Sequence, residues 1–162
     1  MNGNGGKKVY SDGENHMIRS EHMSEQFCQK VLKLNYEKGK AIEQMGVAMT
    51  DIEPGWARGE ITIHEKHGNT IGSIHGGVIF FLADTVVGFA AMTRMEHVTT
   101  SNASIHYMNP VLGQKKIIAE ATELKAGKNI RVYDVVITSE DGRLLTKATM
   151  EYVSLHTPFL DE

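Results

Sequence analysis

The stretch HGGVIFFLADTVVGFAAMTR, residues 75–94, decides how the chain is read. From Gly76 to about Arg94 apolar residues fall on nearly every side of a helix, which predicts one long, buried helix. Asp84 is the one formally charged residue between His75 and Arg94. A bare carboxylate in such surroundings is costly or is forced to protonate, so it needs partners or a task. At helical spacing Gly77, Phe80, Phe81, Gly88 and Ala91 share the stripe with Asp84, and its small residues leave room for a ligand or another chain. The plainer alternative is a structural carboxylate bonded to buried donors.

His75-Gly76-Gly77 opens this helix. Glycine admits another group close to the free N–H groups of the first turn, where the helix dipole adds partial positive charge. Such a terminus holds an oxyanion or polarises a carbonyl; a tight loop-to-helix entry is the alternative use of two glycines. Gly76 and Asp84 are eight residues apart, which at 1.5 Å per residue puts them roughly 12 Å apart along the axis, too far to serve one carbonyl. If both act on one substrate, the carboxylate meets the helix N-terminus of a second subunit, as antiparallel central helices in a two-fold dimer allow.

Outward from the helix, the upstream Ala57, Gly59, Ile61 and Ile63 alternate with Arg58, Glu60, Thr62 and His64, the period of a half-buried strand. It follows a first strand in Gly46 to Glu53 and a Pro54-Gly55 turn. Downstream, Thr99 to Met108, Lys115 to Lys125, Asn129 to Thr138 and Leu144 to Leu155 read as four strands, rich in β-branched residues and separated by Asn109-Pro110, Ala126-Gly127 and Asp141-Gly142. The order predicts an α+β domain, an antiparallel β-sheet wrapped around a long central helix, over residues 46–157. Residues 21–45 carry a helical pattern from Ser24 through Phe27, Val31, Leu34 and Ile42, with Gly39 as an interruption. Residues 1–20 lack periodicity and read as a disordered arm. The NGNGG run there follows no strand and opens no helix, so it is no dinucleotide loop.

Composition narrows the function classes. The chain has 162 residues, 41% of them hydrophobic, and 17 Lys plus Arg against 20 Asp plus Glu, a net charge of -3 that lacks the basic footprint of a nucleic-acid binder. One cysteine, Cys28, excludes an internal disulfide framework and fits a reducing compartment. The N-terminus has no apolar run of a signal peptide, and Val78 to Met92, the longest apolar stretch, is too short for a membrane span and carries Asp84 in its middle. The expectation is a soluble cytoplasmic protein.

Other candidates are weaker. His64-Glu65-Lys66-His67 is one residue short of a zincin helix and follows a strand; the histidines at 64, 67, 75, 97 and 106 show no recurring ligand pair and most read as surface or loop residues, so no metal site is expected. Cys28 reads as a core residue, and Ser73 lacks a nucleophile elbow.

The run Asn69-Thr-Ile-Gly-Ser-Ile-His75-Gly76-Gly77, then Leu82, Asp84 and Gly88, then Tyr107, Pro110 and Asp141-Gly142-Arg143, resembles the hotdog-fold acyl-CoA thioesterases of the phenylacetate-pathway (PaaI) type from about Gly46 to Leu155. The resemblance implies a hotdog fold, a homodimer or homotetramer, no cofactor or metal, and hydrolysis of an acyl-CoA thioester to carboxylate and CoA across the subunit interface. It makes Asp84 the general base or the nucleophile, and the Gly76 N–H the group that polarises the carbonyl. Asn69 then positions carbonyl or water, His75 sits beside the oxyanion hole, and Thr100 orients water, with Thr99 and Ser101 flanking it. Gly77, Phe81 and Gly88 along the helix are the candidate substrate contacts. Among Arg58, Lys125, Lys128 and Arg131, which otherwise read as solvated strand ends, Lys128 and Arg131 are the candidates for the CoA phosphates. Two rivals stand beside this: a non-catalytic acyl-CoA-binding hotdog protein, and a hotdog dehydratase or hydratase pairing a histidine with an acid.

Overall fold

The computed structural model describes Val31, Lys33 and residues 39–158. The expected arm, 1–20, and most of the N-terminal helix, including Ser24, Phe27, Cys28 and Leu34, lie outside the described residues; Val31 is buried in the core. A short helix α1 (Lys40–Met45) begins after Gly39, where the sequence predicts an interruption, and is followed by β1 (Val47–Glu53), β2 (Trp56–Thr62), a 3-10 turn (Glu65–His67), the long helix α2 (Gly76–Met92), β3 (Glu96–Tyr107), β4 (Lys116–Ala126), β5 (Ile130–Ser139) and β6 (Leu144–Pro158). The six strands form one sheet in the order β1-β2-β4-β5-β6-β3. Every pairing is antiparallel. The predicted strands and central helix are present, with ends displaced by a few residues at most.

Small residues on the inner face of the sheet seat α2 against it. Ala57 pairs with Ala121 and Gly59 with Ala119, four small residues on adjacent strands. A Cβ at Gly59 would lie 3.0 Å from Val86 Cγ2 and 2.8 Å from Met49 Sδ. Larger side chains then close the core on either side: Leu82, Val86 and Phe89 of α2 are buried with Ile61, Ile117, Tyr133, Val135 and Ile137 of the sheet. The interior is filled by close packing, so the helix has one seat on the sheet.

Burial of α2 is not all-round. Gly77 is exposed, and Phe80, Phe81, Asp84, Thr85, Gly88 and Met92 are half-buried, so one stripe of the helix is left open in the single chain. The stripe lies beside β3, an edge strand of 12 residues. Arg131 reaches under the other end of the helix, where its Nη1 donates to the Ala91 carbonyl at 3.2 Å, a cation on the negative end of the dipole.

Candidate active site

The entry to α2 is built by the loop before it. Asn69 Oδ1 accepts the N–H groups of Ile71 and Ser73 at 3.0 and 2.9 Å, and its Nδ2 donates to Ile74 O at 3.4 Å. This is an Asx-type turn, in which a side-chain oxygen substitutes for backbone acceptors. It delivers His75 to the N-cap position, where Nδ1 accepts the Gly77 N–H and the carbonyl accepts the Val78 N–H, both at 2.9 Å. Of the first three N–H groups of the helix, that of Gly76 is the one no described residue takes up. Any side chain at position 77 would put its Cβ 2.9 Å from His75 Nδ1. At position 76 it would lie 3.3 Å from the Tyr107 ring, whose hydroxyl donates to Gly76 O at 3.1 Å. A cleft of about 320 Å³ opens here, bounded by Gly76, Ile74, Ile79, Tyr107, Met108 and Val111 among others.

Two turns further along the helix, Asp84 is gripped from the sheet. Thr100 Oγ1 donates to Asp84 Oδ1 at 2.7 Å, and the Tyr152 hydroxyl lies 2.6 Å from the same oxygen and 2.7 Å from the Asp84 backbone carbonyl. Thr100 and Tyr152 are register partners on β3 and β6. Burial pushes the Tyr152 phenol far above its ordinary titration range and the neighbouring Asp84 charge adds to this, so tyrosine is the donor. Both side-chain bonds land on Oδ1, leaving Oδ2 as the oxygen for other work.

A bulge lets one strand serve both ends of the helix. Thr100 and Tyr107 are seven residues apart, an odd spacing that on a regular strand points side chains to opposite faces. The register of β3 against β6 shifts between Thr100 and Asn102, and the extra residue restores parity. Thr100 thus faces Asp84 and Tyr107 faces Gly76. Thr99 pairs with Val153 on the other face, and Ser101 Oγ donates to Glu151 O at 3.1 Å, so neither flanking hydroxyl is the one at Asp84.

Residues 71–146 match the profile of the Thioesterase superfamily. A Halobacterium salinarum protein that carries an esterase name is 31% identical over 106 residues, 60% of this chain and 69% of that protein. The acyl-coenzyme A thioesterase PaaI of Escherichia coli is 27% identical over 105 residues, 65% of this chain and 75% of PaaI. The chain belongs to the thioesterase superfamily. The structure of Escherichia coli PaaI superposes with a TM-score of 0.77 at 22% identity, over 82% of this chain and 96% of that one, which shows the shared hotdog fold. A Streptococcus mutans protein solved with acetyl-CoA bound superposes with a TM-score of 0.66 at 25% identity, over 69% of this chain and 90% of that one. The protein is a thioester hydrolase of the PaaI type.

Within this thioesterase the predicted site residues divide into two groups. Asn69, His75, Gly76 and Gly77 sit together at the helix entry, while Asp84, Thr100, Phe81 and Gly88 sit along its open stripe. One chain does not bring the groups together. The space beside Asp84 that the small residues promised is filled in part by the chain itself: a Cβ at Gly88 would lie 3.8 Å from the Tyr152 hydroxyl.

Two expectations need correction. Arg131 is no solvated strand end: it is 5% exposed, bonded to Ala91 O and paired with Glu96, so its guanidinium is engaged within the chain. Lys128, in contrast, is exposed at the β4–β5 turn. His67 is no surface histidine: it is buried, its Nδ1 accepts the His64 N–H at 3.2 Å, and burial lowers its titration range. Tyr152 carried no signal of its own in the sequence, because only the pairing of β3 with β6 places it on Asp84. Tyr107 stood in the family motif without a task.

Proposed function

We propose that this thioesterase hydrolyses acyl-CoA to a carboxylate and free CoA at two equivalent sites, each shared by two subunits of a homodimer, alone or within a tetramer. The observation that carries the proposal is the division of the site. A free N–H at Gly76 and a held carboxylate at Asp84 are eight residues apart on one helix, roughly 12 Å along its axis. In the dimer, Asp84 of one subunit faces Gly76 of the other. Two features support this assembly. The stripe of α2 that carries Phe81, Asp84 and Gly88 is half-buried in the single chain, and β3 is a long edge whose Glu96 is its one Asp, Glu, Lys or Arg side chain. An unprotected edge of that length is suited to pairing with a second copy.

At such a site the thioester carbonyl points its oxygen at the Gly76 N–H, where the helix N-terminus favours the developing oxyanion. Asp84 Oδ2 takes a proton from water as the oxygen attacks the carbonyl carbon, or attacks directly to give an anhydride that water opens. On the first route the tetrahedral intermediate expels the thiolate, which takes up the proton Asp84 removed from water; on the second the C–S bond breaks as the anhydride forms, before water opens it, and the thiolate takes up a proton as it leaves. His75 keeps the Gly77 N–H occupied and so leaves the Gly76 N–H for the substrate. Asn69 acts by shaping the loop that delivers it. Lys128 is the exposed cation available to a CoA phosphate.

The cleft beside Gly76 suits an apolar acyl group. Its wall is Ile74, Ile79, Met108, Pro110 and Val111, and its polar side chains are already engaged: Ser73 Oγ donates to Val111 O at 3.1 Å, and Asn109 bonds Leu144 O and Arg143 at 2.8 and 3.0 Å. The named activity of Escherichia coli PaaI and the acetyl-CoA bound to the Streptococcus mutans relative support CoA as the carrier. One cysteine supports a reducing compartment, and we place the enzyme in the cytoplasm.

Release of CoA thiol from aryl, short-chain and long-chain acyl-CoAs tests the proposal. Asp84→Asn, with oligomeric state unchanged, is expected to cost a hundredfold or more, about the contribution of a positioned base. Tight acyl-CoA binding without turnover in the native protein would assign it to the binding-only class instead.

A further inference from the structure

We propose that Tyr152 is a positioning residue for the reaction: its hydroxyl fixes the orientation of the Asp84 carboxylate that the chemistry uses. This rests on the reading of Asp84 as the reacting carboxylate. The geometry distinguishes Tyr152 from an ordinary core tyrosine. Its ring is 3% exposed and stands edge-on to Tyr133, centroids 6.2 Å apart at 80°, so the phenol has little freedom. From that seat its oxygen reaches Asp84 twice, at Oδ1 and at the backbone carbonyl. Contact with both the side chain and the main chain of one residue ties the carboxylate to its own helix turn. It leaves Thr100 to hold the same oxygen from β3. With Oδ1 bonded from two strands, rotation that would withdraw Oδ2 from the open stripe breaks two hydrogen bonds.

Donation to a carboxylate favours its charged form, so loss of the donor is read in a pH profile as well as in kcat. The titratable groups bearing on Tyr152 are Asp84 and Tyr133. Tyr133 turns its own hydroxyl to Glu123, 3.0 Å away, and is therefore a matched control: an equally buried phenol on a carboxylate that has no part in the chemistry.

The experiment compares steady-state kinetics of the native enzyme, Tyr152→Phe, Tyr133→Phe and Asp84→Asn on the best acyl-CoA of the panel, across pH. Tyr152→Phe keeps the ring. It is expected to lower kcat about tenfold, the value of one charge-assisted hydrogen bond, with KM within about twofold. The acid limb of its kcat/KM profile moves to higher pH. Tyr133→Phe is expected to lower the melting temperature but leave kcat and the profile in place. Site-specific 3-fluorotyrosine at position 152 keeps ring and hydroxyl while making a stronger donor, and should move the acid limb to lower pH; this holds the test open should Tyr152→Phe not fold. Loss of turnover in Asp84→Asn, with kcat and profile unchanged in Tyr152→Phe and in the fluorinated enzyme, would overturn the role of Tyr152 alone. Undiminished turnover in Asp84→Asn would overturn the reading beneath it.

Discussion

His75 Nδ1 lies 2.9 Å from the Gly77 backbone nitrogen, and this one bond explains the order of residues at the mouth of the helix. The N-cap side chain takes the second N–H of the helix and leaves the first, that of Gly76, without an acceptor among the described residues. A Cβ at position 77 would occupy the line of that bond. Gly77→Ala is therefore expected to break the cap, costing about 1 kcal/mol of stability, and to lower kcat as the first turn moves. Urea unfolding beside thiol-release kinetics checks both; unchanged stability and kcat would contradict the capping account.

Gly76 itself allows its N–H to be tested apart from its size. His75 has φ -63° and ψ 130°, the extended conformation a residue adopts before proline, and position 76 opens the helix, where proline is tolerated. Gly76→Pro removes the N–H and Gly76→Ala keeps it, while both add a Cβ against Tyr107. If the N–H polarises the carbonyl, the proline variant falls about a hundredfold below the alanine variant in kcat, the scale of one lost oxyanion donor. Equal activities would assign no role to the N–H.

The two cationic candidates separate by experiment. Arg131→Met removes the guanidinium from the Ala91 carbonyl, which keeps the Arg94 N–H, and from Glu96, which keeps Ser154, and is expected to cost about 2 kcal/mol of stability, the scale of a lost hydrogen bond to a charged group. Lys128→Ala, at an exposed turn, is expected to leave stability alone and to raise KM for acyl-CoA, an effect that fades as salt screens it. The reverse pattern would exchange their roles.

Acid weakens this fold for a stated reason. The Arg94 guanidinium bonded to Glu123, with Tyr133 adding a hydroxyl, holds the Glu123 carboxyl below its ordinary value of 4.5. A carboxyl depressed in the folded state contributes stability above its unfolded value, and that stability is lost as pH falls through the lower, folded value. The melting temperature should therefore drop below about pH 4.5, with Glu96, depressed by Ser154 and Arg131, adding to the drop. Glu123→Gln should melt lower at pH 7 and show a shallower fall; an acid fall as steep as that of the native chain would contradict the assignment.

Local pattern made the architecture legible. Alternation in Ala57 to Ile63, the turns at Pro54-Gly55 and Asp141-Gly142, and the apolar run after His75 are short-range signals that tertiary packing left in place. The HGG motif and Asp84 were legible too, because a capped helix entry and a lone carboxylate in an apolar run are local anomalies. Tyr152 was not, since its meeting with Asp84 spans 68 residues and depends on the β3–β6 register. The inward turn of Arg131 was hidden for the same reason: a basic residue at a strand start reads as solvated until the helix end it caps is known. Nor did periodicity show that the bulge after Thr100 keeps Thr100 and Tyr107 on one face.

The shared site is the central claim, and subunit mixing tests it. Asp84→Asn and Gly76→Pro each remove one half of every site, so each homodimer is expected to be nearly inactive. Co-expressed in equal amount, half of the dimers are mixed, and each mixed dimer combines Asp84 of one chain with the Gly76 N–H of the other at one of its two sites. Activity should then return to about a quarter of the native level. Mixed dimers that form, are isolated by two different tags, and show no more activity than the parent variants would contradict the account.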